Sequence, residues 1–215
     1  MRPFDSTDAA IAKAGEFEIE LGPLGYQHGP DGGALVAPAV VANYGLSDAW
    51  EAVLEGRGMH ASSSSRLEDF AASLKFVLLP GSYQDRSGLS IASEFSVLLP
   101  GIGGDNGAGL EWAAIASDKA SWGAYHVNTG VELTRDGNAA FFTGLILEGP
   151  LDWRVRPVAE FRYERAFGVE DEASVLIGAI WQFKEDVAFD FALRHASISG
   201  KPEDQIRAGL TFSWT

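Results

Sequence analysis

A chain of 215 residues with 30 Asp and Glu against 16 Lys and Arg, net charge −14, lacks the basic surface that phosphate binding needs, so nucleic acid is excluded as a partner. No cysteine is present, which removes disulfides, thiolate catalysis and cysteine-ligated zinc. The longest apolar run, 34–42, contains Pro38 and falls far short of the roughly 20 apolar residues of a membrane-crossing helix.

Taken in chain order, residues 1–14 stand apart. Asp5, Ser6, Thr7 and Asp8 can cap a short helix ending near Ala14, because their side chains accept hydrogen bonds from the free amides of a first turn. The segment is expected either as a plug docked inside the remaining fold or as an extension hanging free of it. No basic-then-apolar leader precedes Phe4, so the chain is either cytosolic or has had its signal peptide removed.

From residue 15 the sequence alternates. Phe17, Ile19 and Leu21 oppose Glu16, Glu18 and Glu20. Val187, Phe189, Phe191 and Leu193 oppose Ala188, Asp190, Ala192 and Arg194, and Ile206, Ala208, Leu210, Phe212 and Trp214 oppose Arg207, Gly209, Thr211 and Ser213. Period two marks strands with one apolar and one polar face. Twelve strands are predicted near 16–26, 34–44, 49–59, 67–79, 88–99, 107–117, 122–134, 139–148, 153–165, 172–183, 187–197 and 205–214, separated by turn residues such as Asp136-Gly137-Asn138. Residues 15–215 read as one all-β unit.

A soluble sandwich alternates too, so the aromatics must choose. With an even strand count, Trp50, Trp122, Trp153, Trp181 and Trp214 fall at one rim with Phe183 and Phe189, as a membrane-interface girdle requires. Longer loops are expected at the other rim, at 27–33, 58–66, 100–106 and 199–204. The expected fold is an antiparallel up-and-down transmembrane β-barrel of about 12 strands, in the bacterial outer membrane, with both termini periplasmic and outer-membrane lipids around it. Two other readings stand beside it: a filled outer-membrane barrel with a structural or lipid-modifying role, and a soluble ligand-binding β-barrel.

Alternation then assigns a charged lumen: Glu18, Glu20, Glu51, Glu55, Lys75, Glu94, His126, Asn128 and Glu132 from early strands, with Arg154, Arg156, Glu160, Arg162, Asp190, Arg194 and Arg207 from late ones. Closure is expected to bring Arg207 toward the glutamates of the first strand. Such a lumen acts either as a transverse field on permeating solutes or as a ladder of ion pairs that keeps enclosed charge partnered. His126, Asn128 and Glu132 share a face, but no serine is tied to His126 by spacing, and no enzymatic activity is expected. The four histidines form no metal-ligand pair, so neither a metal nor a cofactor is expected. The acidic run 169–172 reads as a solvated loop.

Several segments also carry a family likeness. Residues 3–9 (PFDSTDA) look like an N-terminal Thr-Glu/Asp-Asp-Ala segment, and 14–22 (AGEFEIELG) like a Glu-rich first strand. Residues 43–56 (NYGLSDAWEAVLEG) are similar to a Tyr-Gly-Leu-Thr/Ser-Asp hairpin, 67–81 (LEDFAASLKFVLLPG) to a Gly-Asp-Leu stretch preceding a Lys, and 126–133 (HVNTGVEL) to a His-Xaa-Asn-Xaa-Gly strand. On these residues the chain resembles the outer-membrane family named for the meta-pathway of phenol degradation. Glu68-Asp69 in place of Gly-Asp, and Trp214-Thr215 in place of a terminal aromatic, depart from the pattern. The resemblance implies a barrel that passes small, aromatic or hydrophobic molecules.

Overall fold

The computed structural model describes residues 3–30, 32–103 and 107–214. Twelve strands form one closed antiparallel barrel in which each strand pairs with its chain neighbours and the last returns to the first. They are β1 (Phe17–Gly29), β2 (Gly32–Ser47), β3 (Trp50–Ala61), β4 (Ser64–Leu79), β5 (Ser90–Leu98), β6 (Gly109–Ala120), β7 (Gly123–Leu133), β8 (Ala139–Glu148), β9 (Val155–Ala166), β10 (Glu170–Lys184), β11 (Val187–Ile198) and β12 (Lys201–Trp214). Closure satisfies the backbone donors and acceptors that an open sheet edge would strand. The alternation seen in the sequence fixes its register: Phe212 stands opposite Ile19 on one side and Val187 on the other.

The apolar face points outward. On β11, Phe189, Phe191 and Leu193 are exposed, whereas Asp190, Ala192 and Arg194 are buried inside. This is the inverse of a sandwich, in which two apolar faces pack on each other and charge faces out. Register also stacks aromatics at the rim that carries both strand termini. Phe17 meets Trp214 at 5.1 Å between ring centroids, Trp50 meets Phe76 at 4.8 Å, and Trp181 meets Phe189 at 5.6 Å. Trp122 and Trp153, exposed at the same rim, complete the band with Phe183.

The loop expectation needs correction. The stretches 27–33, 58–66 and 199–204 are largely strand: β1 ends at Gly29 and β2 begins at Gly32, β3 and β4 are separated only by 62–63, and β11 and β12 only by 199–200. Serine-rich sequence reads as loop by composition, yet the ladder continues through it, with Ala61 opposite Ser64. The long connection among the described residues at the terminal rim is 80–89, with a 3-10 turn at Ser82–Gln84. Near Pro23 and Pro38 the ladder skips: Leu21 and Leu24 are consecutive partners on β12, and Val36 and Ala39 on β3. Proline brings no amide to a ladder, which accounts for interruptions at these positions.

Residues 3–14 do not form the expected helix. They run through the barrel interior, where Asp5, Thr7 and Asp8, three of the groups that would have capped a helix, meet Arg194, Arg207 and Lys75 of the wall. Phe4 sits among inward-facing Ile146, Val158, Leu176, Ile180 and Ala192, and Ala9 packs on Ala92 and Ile115. The segment turns inward at Gly15, whose φ of +82° favours glycine. At its root the Gly15 amide donates to the Gly45 carbonyl at 2.8 Å, and the Gly45 amide to Glu16 at 3.0 Å.

Candidate functional site in the barrel lumen

The lumen is best followed along the segment that crosses it. Near β3, the Ala12 amide donates to Glu51 Oε1 at 2.7 Å. On β6, Ser117 Oγ accepts the Ala9 amide at 2.9 Å. Asn128 on β7 accepts the Thr7 amide through Oδ1 at 3.2 Å and returns a bond from Nδ2 to the Thr7 carbonyl at 2.7 Å. Glu160 on β9 receives both the Asp5 and Ser6 amides at 2.8 Å. A Cβ on Gly144 would collide with Ser6 Oγ, so β8 carries glycine where the segment passes it.

Side chains add charge to this track. Lys75 lies 3.6 Å from Asp8 and donates to Thr7 Oγ1 at 3.3 Å. Asp5 is gripped by Arg194 at 2.7 Å and Arg207 at 2.6 Å; Arg207 also donates to the Pro3 carbonyl at 3.0 Å. Burial opposes ionisation of Asp5, but Arg207, Arg194 and Arg162 outweigh it and hold its carboxyl well below the usual aspartate range. Asp8 is lowered in the same sense: burial raises it, and Lys75 and His126 outweigh that.

The remaining predicted bases are also occupied. Arg194 bonds to Glu172 and Glu203 besides Asp5, Arg162 pairs with Glu164 at 2.6 Å, and Arg156 with Glu148 at 3.3 Å. Glu172, read as part of a solvated loop, is thus a lumen partner at the start of β10. Arg207 does not approach the glutamates of β1. Its register partner there is Gly25, while Glu18 and Glu20 lie opposite Ser213 and Thr211, too far down the strand to meet it. Arg154 is not in the lumen at all: it precedes β9, donates to the Phe183 carbonyl at 3.4 Å and lies 6.0 Å from the Trp181 ring, where the turn places it against the aromatic band.

The acids are distributed differently. Asn43 bridges Glu18 and Glu20 at 3.3 Å each, and Ser213 donates to Glu18 at 2.9 Å. Among the described residues, Glu55, Glu94, Glu111 and Glu132 form no ion pair within 4 Å with a Lys or Arg. Glu18, Glu20, Glu55, Glu94 and Glu111 line a cavity of about 440 Å³ whose other side is the segment from Phe4 to Ala12. A second space of about 650 Å³ lies toward the opposite rim, bounded by Pro3, Phe4, Asp5, Glu132 and Arg135. Glu55, Glu111 and Arg162 border both.

At the terminal rim, His126 is fully buried between Ser117 Oγ at 2.9 Å from Nδ1 and Glu148 Oε1 at 3.0 Å from Nε2. Tyr83 OH lies 3.4 Å from Nε2. This Ser–His–Glu chain has the members of a nucleophilic relay, but Ser117 is fully buried and its oxygen receives the Ala9 amide. The place a substrate carbonyl needs is filled by the segment. Ser117 and Glu148 escape a reading confined to one strand; the signal was cross-strand, since Ser117 is the β6 register partner of His126. Asp190 is buried on the inner face of β11 opposite Gly209 and Ile180.

No family model and no curated protein sequence matches the chain. Among solved structures it is similar to the COG4313 outer membrane channel from Pseudomonas putida F1, with a TM-score of 0.67 and 10% identity over 98% of this chain and 100% of that one. It is likewise similar to the NanC porin, with a TM-score of 0.67 and 9% identity over 91% and 98%, and to the KdgM porin, with a TM-score of 0.60 and 9% identity over 92% and 99%. The fold is that of outer-membrane barrels.

Proposed function

We propose that the protein is an outer-membrane channel for small solutes, oriented with the aromatic terminal rim toward the periplasm and its exposed apolar belt in lipid. The observation that carries this reading is the division of charge inside. The arginines are consumed by the segment and by neighbouring acids, while Glu55, Glu94 and Glu111 face the space left beside it. A passage walled by carboxylates favours cationic and neutral solutes over anions. Val41, Val53, Leu98 and Phe142 in the same lining supply the apolar surface for the aromatic or hydrophobic molecules that the resemblance to the meta-pathway family implies.

The test is single-channel recording in planar bilayers, using protein shown to be folded by its heat-dependent gel shift, with a salt gradient to read ion preference. Small, cation-preferring steps support the channel. Silence from folded protein favours the second reading, a filled barrel with a structural role, which the bonds along residues 3–14 also support.

A further inference from the structure

The N-terminal segment is held in a way that mere blockage does not require. Wall side chains read its main chain: Glu160 takes the Asp5 and Ser6 amides, Asn128 the Thr7 amide and carbonyl, Ser117 the Ala9 amide, and Glu51 the Ala12 amide. Gln84, reaching in from the 3-10 turn at the terminal rim, donates to the Ala9 carbonyl at 2.7 Å. Amides and carbonyls belong to every peptide, so these bonds would form with any extended chain laid along the same line. Main-chain bonds supplying affinity and side-chain pockets supplying selectivity is a recurrent mode of peptide recognition. The selective contacts are few. Phe4 enters an apolar recess formed by Ile146, Val158, Leu176 and Ile180, Asp5 meets two guanidiniums, and Asp8 meets Lys75.

The wall groups are themselves costly to leave alone. Glu160 is 1% exposed with both carboxylate oxygens taken by the segment, and an enclosed charge stripped of its partner is strongly destabilising; Arg194 would keep Glu172 and Glu203 but lose Asp5. If the segment withdraws, the barrel presents a line of desolvated acceptors and cations that matches a ligand of the same chemistry. The larger cavity, bounded by Pro3, Phe4 and Asp5, brings an incoming molecule first to the end of the track that discriminates. We propose that the lumen wall is a peptide-binding track, that residues 3–14 occupy it as an internal pseudo-ligand, and that the exchanging ligand is a short extended peptide carrying an aromatic residue followed by an acidic one. This goes beyond the channel reading: the ligand's acid is met by Arg194 and Arg207, apart from the space lined by Glu55, Glu94 and Glu111, and binding along the track does not require a conducting passage.

The experiment uses full-length protein carrying Phe4→Ala and Asp5→Asn, which weaken the internal ligand and leave the wall intact. A fluorescein-labelled peptide, Pro-Phe-Asp-Ser-Thr-Asp-Ala, is titrated by anisotropy against a scrambled peptide of the same composition. The expected result is saturable binding, about tenfold or more tighter than the scrambled peptide and tighter than to the unsubstituted protein. Adding Asn128→Ala, a neutral change on the wall, is expected to weaken it about tenfold. Equal binding of the two peptides, or none to protein that the gel shift shows to be folded, overturns the proposal. Conductance in the same preparation separates the two readings. Steps that the peptide fails to block overturn the track and leave the channel; specific peptide binding without steps overturns the channel and supports the track.

Discussion

Asp5 and Arg194, 189 positions apart in sequence, meet at 2.7 Å inside the barrel. The contact joins the chain's opening segment to its eleventh strand, and Arg207 on β12 closes on the other carboxylate oxygen. Asp5→Asn keeps the shape and removes the charge. Truncating one partner of a buried charged pair costs about 2–5 kcal/mol, enough to shift the segment substantially toward release. The substituted protein is expected to lose residues 1–14 to protease faster than the unsubstituted one while keeping its heat-dependent gel shift. Unchanged cleavage would show that Asp5 does not anchor the segment.

Acid should act on the same anchor. Asp5 and Asp8 both titrate below the usual aspartate range when docked, because the surrounding cations outweigh burial. A lowered folded value contributes stability that is fully present above the unfolded value, about 3.9, and is lost as pH falls through the lowered one. The contribution of these two carboxyls to docking is therefore expected to hold at neutral pH and through mild acid, and to weaken below about pH 4. Protease accessibility of the segment across pH is the measurement, and the Asp5→Asn, Asp8→Asn double variant should flatten it.

Steric fit offers an independent check. Gly144 leaves room for Ser6 Oγ where a Cβ would collide. Gly144→Ala should loosen the segment without touching any charge, and Ser6→Gly in the same chain should restore it. Failure of that rescue in the protease assay would mean that β8 does not set the position of Ser6.

The charge of the passage is tested by Glu55→Gln and Glu111→Gln, which neutralise two carboxylates bordering both cavities. Reversal potentials in a salt gradient should move toward non-selectivity, more for the pair than for either alone. A shift toward stronger cation preference would assign the field to other groups.

At the seam, the Trp214 and Phe17 rings meet across β12 and β1 in a tilted pair, 5.1 Å between centroids. Trp214→Ala removes a ring pair worth about 0.5–1.5 kcal/mol beyond its buried area. The midpoint of heat-induced gel-shift loss should fall, with no change in ion preference.

The wall of this barrel was legible because its signal is local. From Ile206 to Trp214, lipid-type and lumen-type residues alternate without exception, and a strand of that kind has one register that keeps every apolar side chain on one face. The interior was less legible because its partners are distant. Nothing near Glu160 announces that its carboxylate will receive amides 154 and 155 positions away. Ile146, Val158 and Leu176 point inward against the simple polar-in rule, and the reason, Phe4, lies at the far end of the chain. Alternation misplaces Arg154 because it is carried back ahead of the first residue of β9, into a turn that resets the facing of the side chains.

The root of the segment sets how it moves. Gly15 and Gly45 fasten it to the end of β2 at the terminal rim, so withdrawal is a swing on a short tether and leaves the occluding residues within reach of their seats. Reclosure is then a unimolecular event whose rate ignores protein concentration. The tethered residues behave as a solution of about millimolar strength facing the wall. On the proposed channel reading, a passing solute would compete with a blocker that never diffuses away, and that return stroke would govern the open time of the barrel.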